Sequence, residues 1–490
     1  MKRYFALLIL LAAAGVAVSA EISISGLNYA EYAYSAAEDS LNNYFYDKLT
    51  FRLRYGNVTV GQSFIARLPE YKGDATIENL SPDDLGYDWD ERWVTYDTKT
   101  LTLHAGTMDE TIGRGLVLRA WEDREFDIDT RLEGAKLRWS DPRGISKAFY
   151  GARPIEFPDG VTRDETAAGI DGEVNLPYGF KLGGSYIAMQ TLDLNDPTFT
   201  YGEVIIDASR LGYTSDLFDA YLEYAMLEAS KEGETDRDGA AIYADATLYV
   251  GKFTLLAACK DYDDFHQRND SISPLSDMPT VNHSGEPLSE SGIFAGEDEA
   301  GFMGELTWRP DYYSEVVVNY AEAWSHDDNY TLADFYFKSV SDIGPITLTA
   351  EYEHIETRDE AGEKWHKKLT PQLAADFVAG QFPMTVMAQW EHEDKTDGAS
   401  REYHWEPLLQ ADIAWREVSL SVTAEMRYGH GDALADQPVW LGAEIALPID
   451  DSTSLRVFGG RQKGGKVCRN GICRRQSQFE GIKVELTTTF

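Results

Sequence analysis

The sequence predicts an all-β fold, a transmembrane antiparallel up-and-down β-barrel of about 24 strands within a range of about 22 to 26. Three observations carry this. Segment after segment alternates apolar and polar residues with a period of two, the connections alternate between short turns and long polar loops, and the chain stops on Phe490 inside such a segment with no polar tail after it.

The N-terminus sets the compartment. Lys2 and Arg3 precede an apolar run from Phe5 to Val18 that ends in Val18-Ser19-Ala20. A basic start, an apolar stretch and a small-residue cleavage site make residues 1–20 a secretory signal peptide and leave 21–490 as one barrel domain. The run is too short for a spanning helix, and no Cys sits at the cleavage point to carry a lipid. Forty-four basic residues against 83 acidic ones give a formal charge of −39, a surface that repels nucleic acid and excludes it as a partner. Hydrophobic content of 43% excludes general disorder. A mean hydropathy of −0.37 excludes a helical membrane protein but suits a barrel, in which only alternate strand residues face lipid.

Taken in order, Ile22 to Tyr34 opens the barrel, and Tyr44 to Tyr55 turns at Gly56-Asn57 into Val58 to Ala66. After a long acidic connection from Pro69 to Asp90, Trp93 to Thr98 pairs with Leu101 to Met108. A second long connection, Asp109 to Thr130, follows. Hairpins then join Leu132–Trp139 to Ile145–Arg153, Thr166–Leu176 to Phe180–Gln190, Val204–Tyr213 to Phe218–Leu227, and Ala241–Val250 to Phe253–Asp261. The longest interruption, Tyr262 to Ala300, precedes Phe302–Trp308 with Ser314–Trp324, Thr331–Val340 with Ile346–His354, and Lys367–Phe377 with Met384–Trp390. Trp405–Trp415 with Val418–Tyr428 and Val439–Leu447 with Leu455–Arg461 complete the series before the terminal strand from Ile482. Every short turn falls on the periplasmic side and every long loop on the external side, as in bacterial outer-membrane barrels.

The outward parity is apolar, as in Val418, Leu420, Val422, Ala424 and Met426, while Ser419, Ser421, Thr423, Glu425 and Arg427 take the other face. Aromatics such as Tyr55, Trp139, Trp308, Trp324, Trp390, Trp415 and Tyr428 fall near strand ends, where the bilayer's interfacial girdles sit. Closure also removes the exposed edges that so wide a flat sheet would carry. Cys468 and Cys473 flank Arg469-Asn470-Gly471-Ile472, and Asn-Gly favours a tight turn. A disulfide in an oxidising compartment is the expectation there, since a metal pair would need two further ligands. Cys259 shares parity with Phe253, Leu255 and Ala257 and reads as apolar filler.

The stretches Gly464-Gly465-Lys466-Val467-Cys468, Gly471-Ile472-Cys473-Arg474 and Phe479-Glu480-Gly481, together with Gly113-Arg114-Gly115-Leu116-Val117-Leu118, resemble an uncharacterised family of bacterial outer-membrane barrels known only as a domain of unknown function. The resemblance implies the fold and an outer-membrane location, and it brings no assigned activity.

If the parity holds, the lumen candidates near the closing seam are Arg52, Arg54, Arg456, Lys483 and Glu485, with Lys136 and Arg138 a few strands further on. The later strands contribute Glu305, Glu315, Glu351, Glu353 and Asp376, then Glu391, Glu406, Asp412, Glu425 and Glu444. Opposed charges across a wet pore would orient polar solutes and favour cations, although a lumen in water also collects solvated charges and cross-strand ion pairs. Asp123, Glu125, Asp127 and Asp129 lie on one face if their segment is extended, a weak Ca²⁺ or Mg²⁺ candidate whose spacing is not an EF-hand and which Arg124 and Arg131 partly neutralise. Gly113-Arg114-Gly115 does not run from a strand into a helix, so it is no phosphate loop; its glycines would instead let the chain fold inward and bring Arg114 or Arg119 into the pore.

No G-x-S-x-G, H-E-x-x-H or C-x-x-C is present, so an enzyme is not expected and no cofactor is implied. The expectation is a porin-like channel for small hydrophilic solutes. Barrels of 16 to 18 strands already leave an aqueous channel, so one of about 24 should be flattened or blocked, with Pro69–Asp90, Asp109–Thr130 and Tyr262–Glu299 as the blocking loops. The alternative is a closed structural or secretion-associated scaffold that binds a partner through its external loops. Expected partners are outer-membrane lipid, lipopolysaccharide and, through Phe490, the barrel-assembly machinery.

Overall fold

The computed structural model describes residues 22–35, 43–68, 86–123, 128–156, 162–192, 200–231, 236–265, 275, 278–283, 298–326, 330–359, 362–396, 398–430, 438–469, 472–476 and 478–490. Its wall has 24 antiparallel strands. In chain order they are β1 Ile22–Ser35, β2 Asn43–Tyr55, β3 Val58–Leu68, β4 Gly86–Asp97, β5 Leu101–Met108, β6 Leu132–Asp141, β7 Gly144–Glu156, β8 Thr162–Asn175, β9 Phe180–Leu192, β10 Thr200–Thr214, β11 Phe218–Lys231 and β12 Arg237–Val250. They continue as β13 Phe253–Asp263, β14 Glu299–Asp311, β15 Ser314–Ser325, β16 Tyr330–Ile343, β17 Ile346–Asp359, β18 Trp365–Ala379, β19 Phe382–Thr396, β20 Arg401–Trp415, β21 Val418–Met426 with its continuation Tyr428–His430, β22 Val439–Asp450, β23 Thr453–Gln462 and β24 Phe479–Thr489. Each pairs with the next, and β24 returns to β1 with Leu27 opposite Thr489 and Ser35 opposite Gly481, so no edge is left open.

The terminal residue finishes the seam. Gly26 N donates to the Phe490 carbonyl at 2.7 Å and Phe490 N to the Gly26 carbonyl at 3.1 Å. The Phe490 ring lies over Gly26, where any β-carbon would run into it, so the glycine is required by this close approach.

The expected parity holds around the wall. Leu420, Val422 and Met426 are exposed on the outer face, while Ser421 between them is 1% exposed. Aromatics pair at the outer rims: Phe180 and Tyr213 at 4.7 Å by the short turns, Trp390 and Trp405 at 5.9 Å towards the long loops. The strands run longer than their alternation suggests, towards the long-loop side. β17 continues past His354 to Asp359, and β4 begins at Gly86, so the first long connection is 69–85 and lies outside the described residues. About 9–11 tilted residues cross a bilayer, and above it the outer face no longer has to be apolar, which removes the pattern.

The inside is not uniformly wet. The connection from β5 to β6 folds inward as a hairpin, Glu110–Ile112 against Leu118–Ala120. Its Ile112, Leu116, Val117, Leu118 and Ala120 are fully buried. They pack on inner-face side chains of β5 to β12, among them Leu132, Phe149, Ile187, Ile206 and Leu227. Tyr262, Phe265 and Leu275, at and beyond the end of β13, join the same cluster, and Arg119 N donates to the Leu275 carbonyl at 2.6 Å. Fully burying each such side chain contributes about 1.5–3 kcal/mol, enough to hold an irregular segment against its ordering entropy. One half of the barrel therefore encloses a dry core.

Candidate pore and its inward-folded loops

The hairpin is fixed at its tip by polar contacts. Gly113 and Gly115 adopt φ of +63° and +92°, left-handed values that suit glycine. This turn presents the Arg114 amide to the Glu223 carboxylate of β11 at 3.2 Å, and the Tyr221 hydroxyl donates to the same oxygen at 2.6 Å. The Arg114 guanidinium lies 4.8 Å over the Tyr221 ring and 3.2 Å from Asp245 of β12, with half its side chain exposed. Arg119 stacks 3.7 Å from Trp121 on the same inward segment.

At the hairpin's base, Glu110 pairs with Lys147 at 2.8 Å and Lys136 at 3.4 Å, so the lumen candidate Lys136 anchors the loop. The acidic ladder is not one extended segment. Glu122–Asp123 and Ile128–Asp129 pair as a small hairpin, and residues 124–127, Glu125 and Asp127 among them, lie outside the described residues. Arg131, 6% exposed, draws the two arms together through Asp129 at 2.6 Å and Glu122 at 3.4 Å, and also binds Asp90 at 2.8 Å and Glu91 at 3.0 Å. Lys48 adds a second cation through Asp90 and Glu122. Asp90, Glu91 and Glu122 stand close enough together to chelate an ion, but Arg131 and Lys48 already supply the positive charge.

The opposite half of the inner wall, β14 to β23, is polar. Glu305, Asn319, Tyr336 and Glu353 stand opposite one another across β14 to β17, and Asn319 donates to Glu305 at 3.2 Å. Tyr336 lies in the combined field of Glu305, Glu315, Glu351 and Glu353, with Lys338 3.6 Å from Glu351. The ring of His283, from the segment 278–283, stacks on Tyr336 at 3.5 Å. A connection that starts in the dry half therefore reaches the acidic wall. Lower down, Asp376 accepts from Thr385 at 2.5 Å and Asp412 from Gln410 at 2.9 Å.

Towards the long-loop side lies a dense charge network. Lys368 is 3.6 Å from Glu391; His366 and His404 approach the two oxygens of Glu393 at 3.0 and 3.2 Å. Glu406, 2% exposed, is held by Arg427 and by Lys463, which also lies 3.6 Å from Glu425. At the seam Arg456 is 3.9 Å from Glu485, directly opposite it, and Lys483 is 3.6 Å from Glu31. Arg52 lies 5.9 Å over Trp93, Arg54 donates to the Gly56 carbonyl at the short-turn rim, Arg138 is exposed, and Glu444 is buried. These wall charges share the parity of the strands' inner-face residues. The parity reading missed Glu223, Tyr221 and Lys463. A lone acid among Ala225 and Leu227 on the buried parity was the available signal for Glu223.

Cys468 and Cys473 stand opposite each other in the hairpin Gly465–Arg469/Ile472–Gln476 that leads from β23 to β24. Cys259 is a free, exposed thiol on the outer face.

No curated protein matches the chain. Among solved structures it is similar to the outer membrane transporter YddB of Escherichia coli, at 9% identity and a TM-score of 0.46, over 96% of this chain and 81% of that one. It is similar also to the P pilus usher PapC translocation pore, at 9% identity and 0.47, over 95% and 99%. The siderophore receptor PirA of Pseudomonas aeruginosa gives 9% and 0.47, over 95% and 80%. The family model described as "Family of unknown function (DUF6029)" matches residues 28–369, which include the Gly113–Leu118 motif and more than two-thirds of the chain, and the chain belongs to this family.

Proposed function

We propose that this outer-membrane barrel is a porin-like channel for small hydrophilic solutes, cation-favouring, with its bore narrowed by the inward loops. The observation that carries this reading is the division of the interior. The hairpin Glu110–Ala120 fills one side with apolar packing and leaves the acidic wall around Glu305, Glu351 and Glu353 as the polar route. Reconstitution in planar bilayers tests it: steady conductance with a cation-selective reversal potential supports the channel, and clear anion preference contradicts it.

A closed scaffold that binds a partner through its external loops is the second reading. It draws on the Lys463 contacts, which tie the chain after β23 to Glu406 and Glu425 across β22 at the external mouth. A folded, heat-modifiable preparation without conductance favours it. Residues 1–20 as an export signal, lipopolysaccharide contact, recognition of Phe490 by the assembly machinery and a Cys468–Cys473 disulfide belong to the same proposal. For the disulfide, mass spectrometry should find both thiols blocked to alkylation until reduction.

A further inference from the structure

The outer face of a membrane barrel should be apolar at mid-depth, and on β10 it is not. Val204, Ile206, Ala208 and Arg210 are the buried, inward residues of this strand, which puts Asp207 and Ser209 on the lipid side, both exposed. Asp207 lies between the outward Tyr186 of β9 and Met226 of β11. Among the described residues its carboxylate has no hydrogen bond and no ion pair. It stands midway along a 15-residue strand, seven positions from either end. At ~3.3 Å per residue and a tilt near ~40°, that is ~18 Å above the short-turn end, within an apolar band ~25 Å tall. An aspartate side chain is too short to reach either interface from there. Other outward acids at comparable depth are answered: Asp47 by Asn28 at 2.7 Å, Asp261 by His326 at 2.9 Å and Glu322 by the Tyr320 hydroxyl at 3.3 Å.

A complementary group exists elsewhere on the same surface. On β4 the indole of Trp93 points inward, onto Gly61 and towards Arg52, so the preceding residue, Arg92, points out. Arg92 is exposed, and among the described residues its guanidinium also has no partner. Gln62 faces the same way directly opposite it. The nearby outward acid, Glu133, accepts the hydroxyl of Thr107. Arg92 lies five positions above the short-turn end of β4, ~13 Å up by the same conversion, and its side chain spans the remaining height. Within one barrel the two charges cannot meet, because six strand spacings of ~4.8 Å separate β4 from β10. Copies inserted in one membrane share an orientation, so Arg92 of one copy and Asp207 of another stand at matching depth.

We propose that the protein self-associates head to tail in the membrane, with the β9–β11 face around Asp207 of one copy docked on the β3–β4 face around Arg92 and Gln62 of the next. The contact joins two different patches, so it builds a head-to-tail ring or open chain rather than a two-fold dimer. Pairing removes a carboxylate and a guanidinium from hydrocarbon together.

The test uses full-length protein in native outer-membrane vesicles, with Cys259→Ala removing the outward thiol. Ser209→Cys with Gln62→Cys should cross-link between copies under mild oxidant, giving a ladder on denaturing gels, and Asp207→Asn should lower that yield at least tenfold. Asp207→Lys and Arg92→Glu should each abolish the oligomer on native gels, and the double variant should restore it to within about twofold. Heat-modifiability confirms folding for every variant. A folded protein without cross-links, or a double variant as monomeric as either single one, overturns the proposal.

Discussion

The backbone amide of Arg114 is hydrogen-bonded to the Glu223 carboxylate, 109 positions further along the chain, and Glu223 is fully buried. This contact pins the tip of an inward hairpin to the wall it covers. Ile112, Leu116 and Leu118 attach the hairpin's body by apolar packing, whereas Glu223 attaches its tip by hydrogen bonding.

Glu223→Ala removes an acceptor shared by the Arg114 amide and the Tyr221 hydroxyl. The expected loss is about 1–3 kcal/mol, because two part-buried donors lose the buried acceptor they share. Urea unfolding in lipid vesicles measures it. Single-channel records of the variant should show larger and noisier openings, since a loosened tip fluctuates in the bore.

Leu116→Ala should cost about 2–5 kcal/mol, as for any fully buried leucine. Leu420→Ala, on the lipid face, should cost distinctly less, because lipid closes over the missing atoms. Equal losses in the same unfolding assay would mean that the hairpin is not a packed core.

Far more of the wall than of its contents is legible in the sequence, and the reason is solvent. Between lipid and water a strand must alternate, so Val418 to Met426 announces its own faces. Past His354 the pattern on β17 inverts: Ile355 is buried inward against Ala323 and Leu332 while Glu356 and Arg358 take the outward parity, so the alternation that lipid imposes ends before the strand does. The ladder from Asp123 to Asp129 reads as one extended face only until Arg131, outside that window, gathers acids from both arms of a hairpin. The inward hairpin had a visible sign, the apolar run Leu116-Val117-Leu118 inside an otherwise polar connection. Its partner Glu223 lies on a distant strand, and no local pattern joins the two.

The seam gives a third expectation. Gly26→Val places side-chain atoms where the Phe490 ring lies, and deletion of Phe490 removes both backbone bonds to Gly26. Each change should cut the heat-modifiable, membrane-inserted fraction several-fold while leaving the conductance of those barrels that do insert unchanged. Normal insertion of both variants would contradict the closing role of this residue.

Charge on the polar wall should set selectivity. Glu351→Gln combined with Glu353→Gln removes two of the acids around Tyr336 and should move the reversal potential in a salt gradient towards zero, with little change in single-channel current. An unchanged potential would assign the selectivity to another part of the wall.

The central claim is that the inward hairpin, and not the wall, limits the bore. Replacing residues 110–120 by a short Gly-Ser linker and recording single channels in planar bilayers tests it most directly. The account predicts a conductance several-fold above that of the intact protein, and a folded, inserted variant whose conductance is unchanged would contradict it.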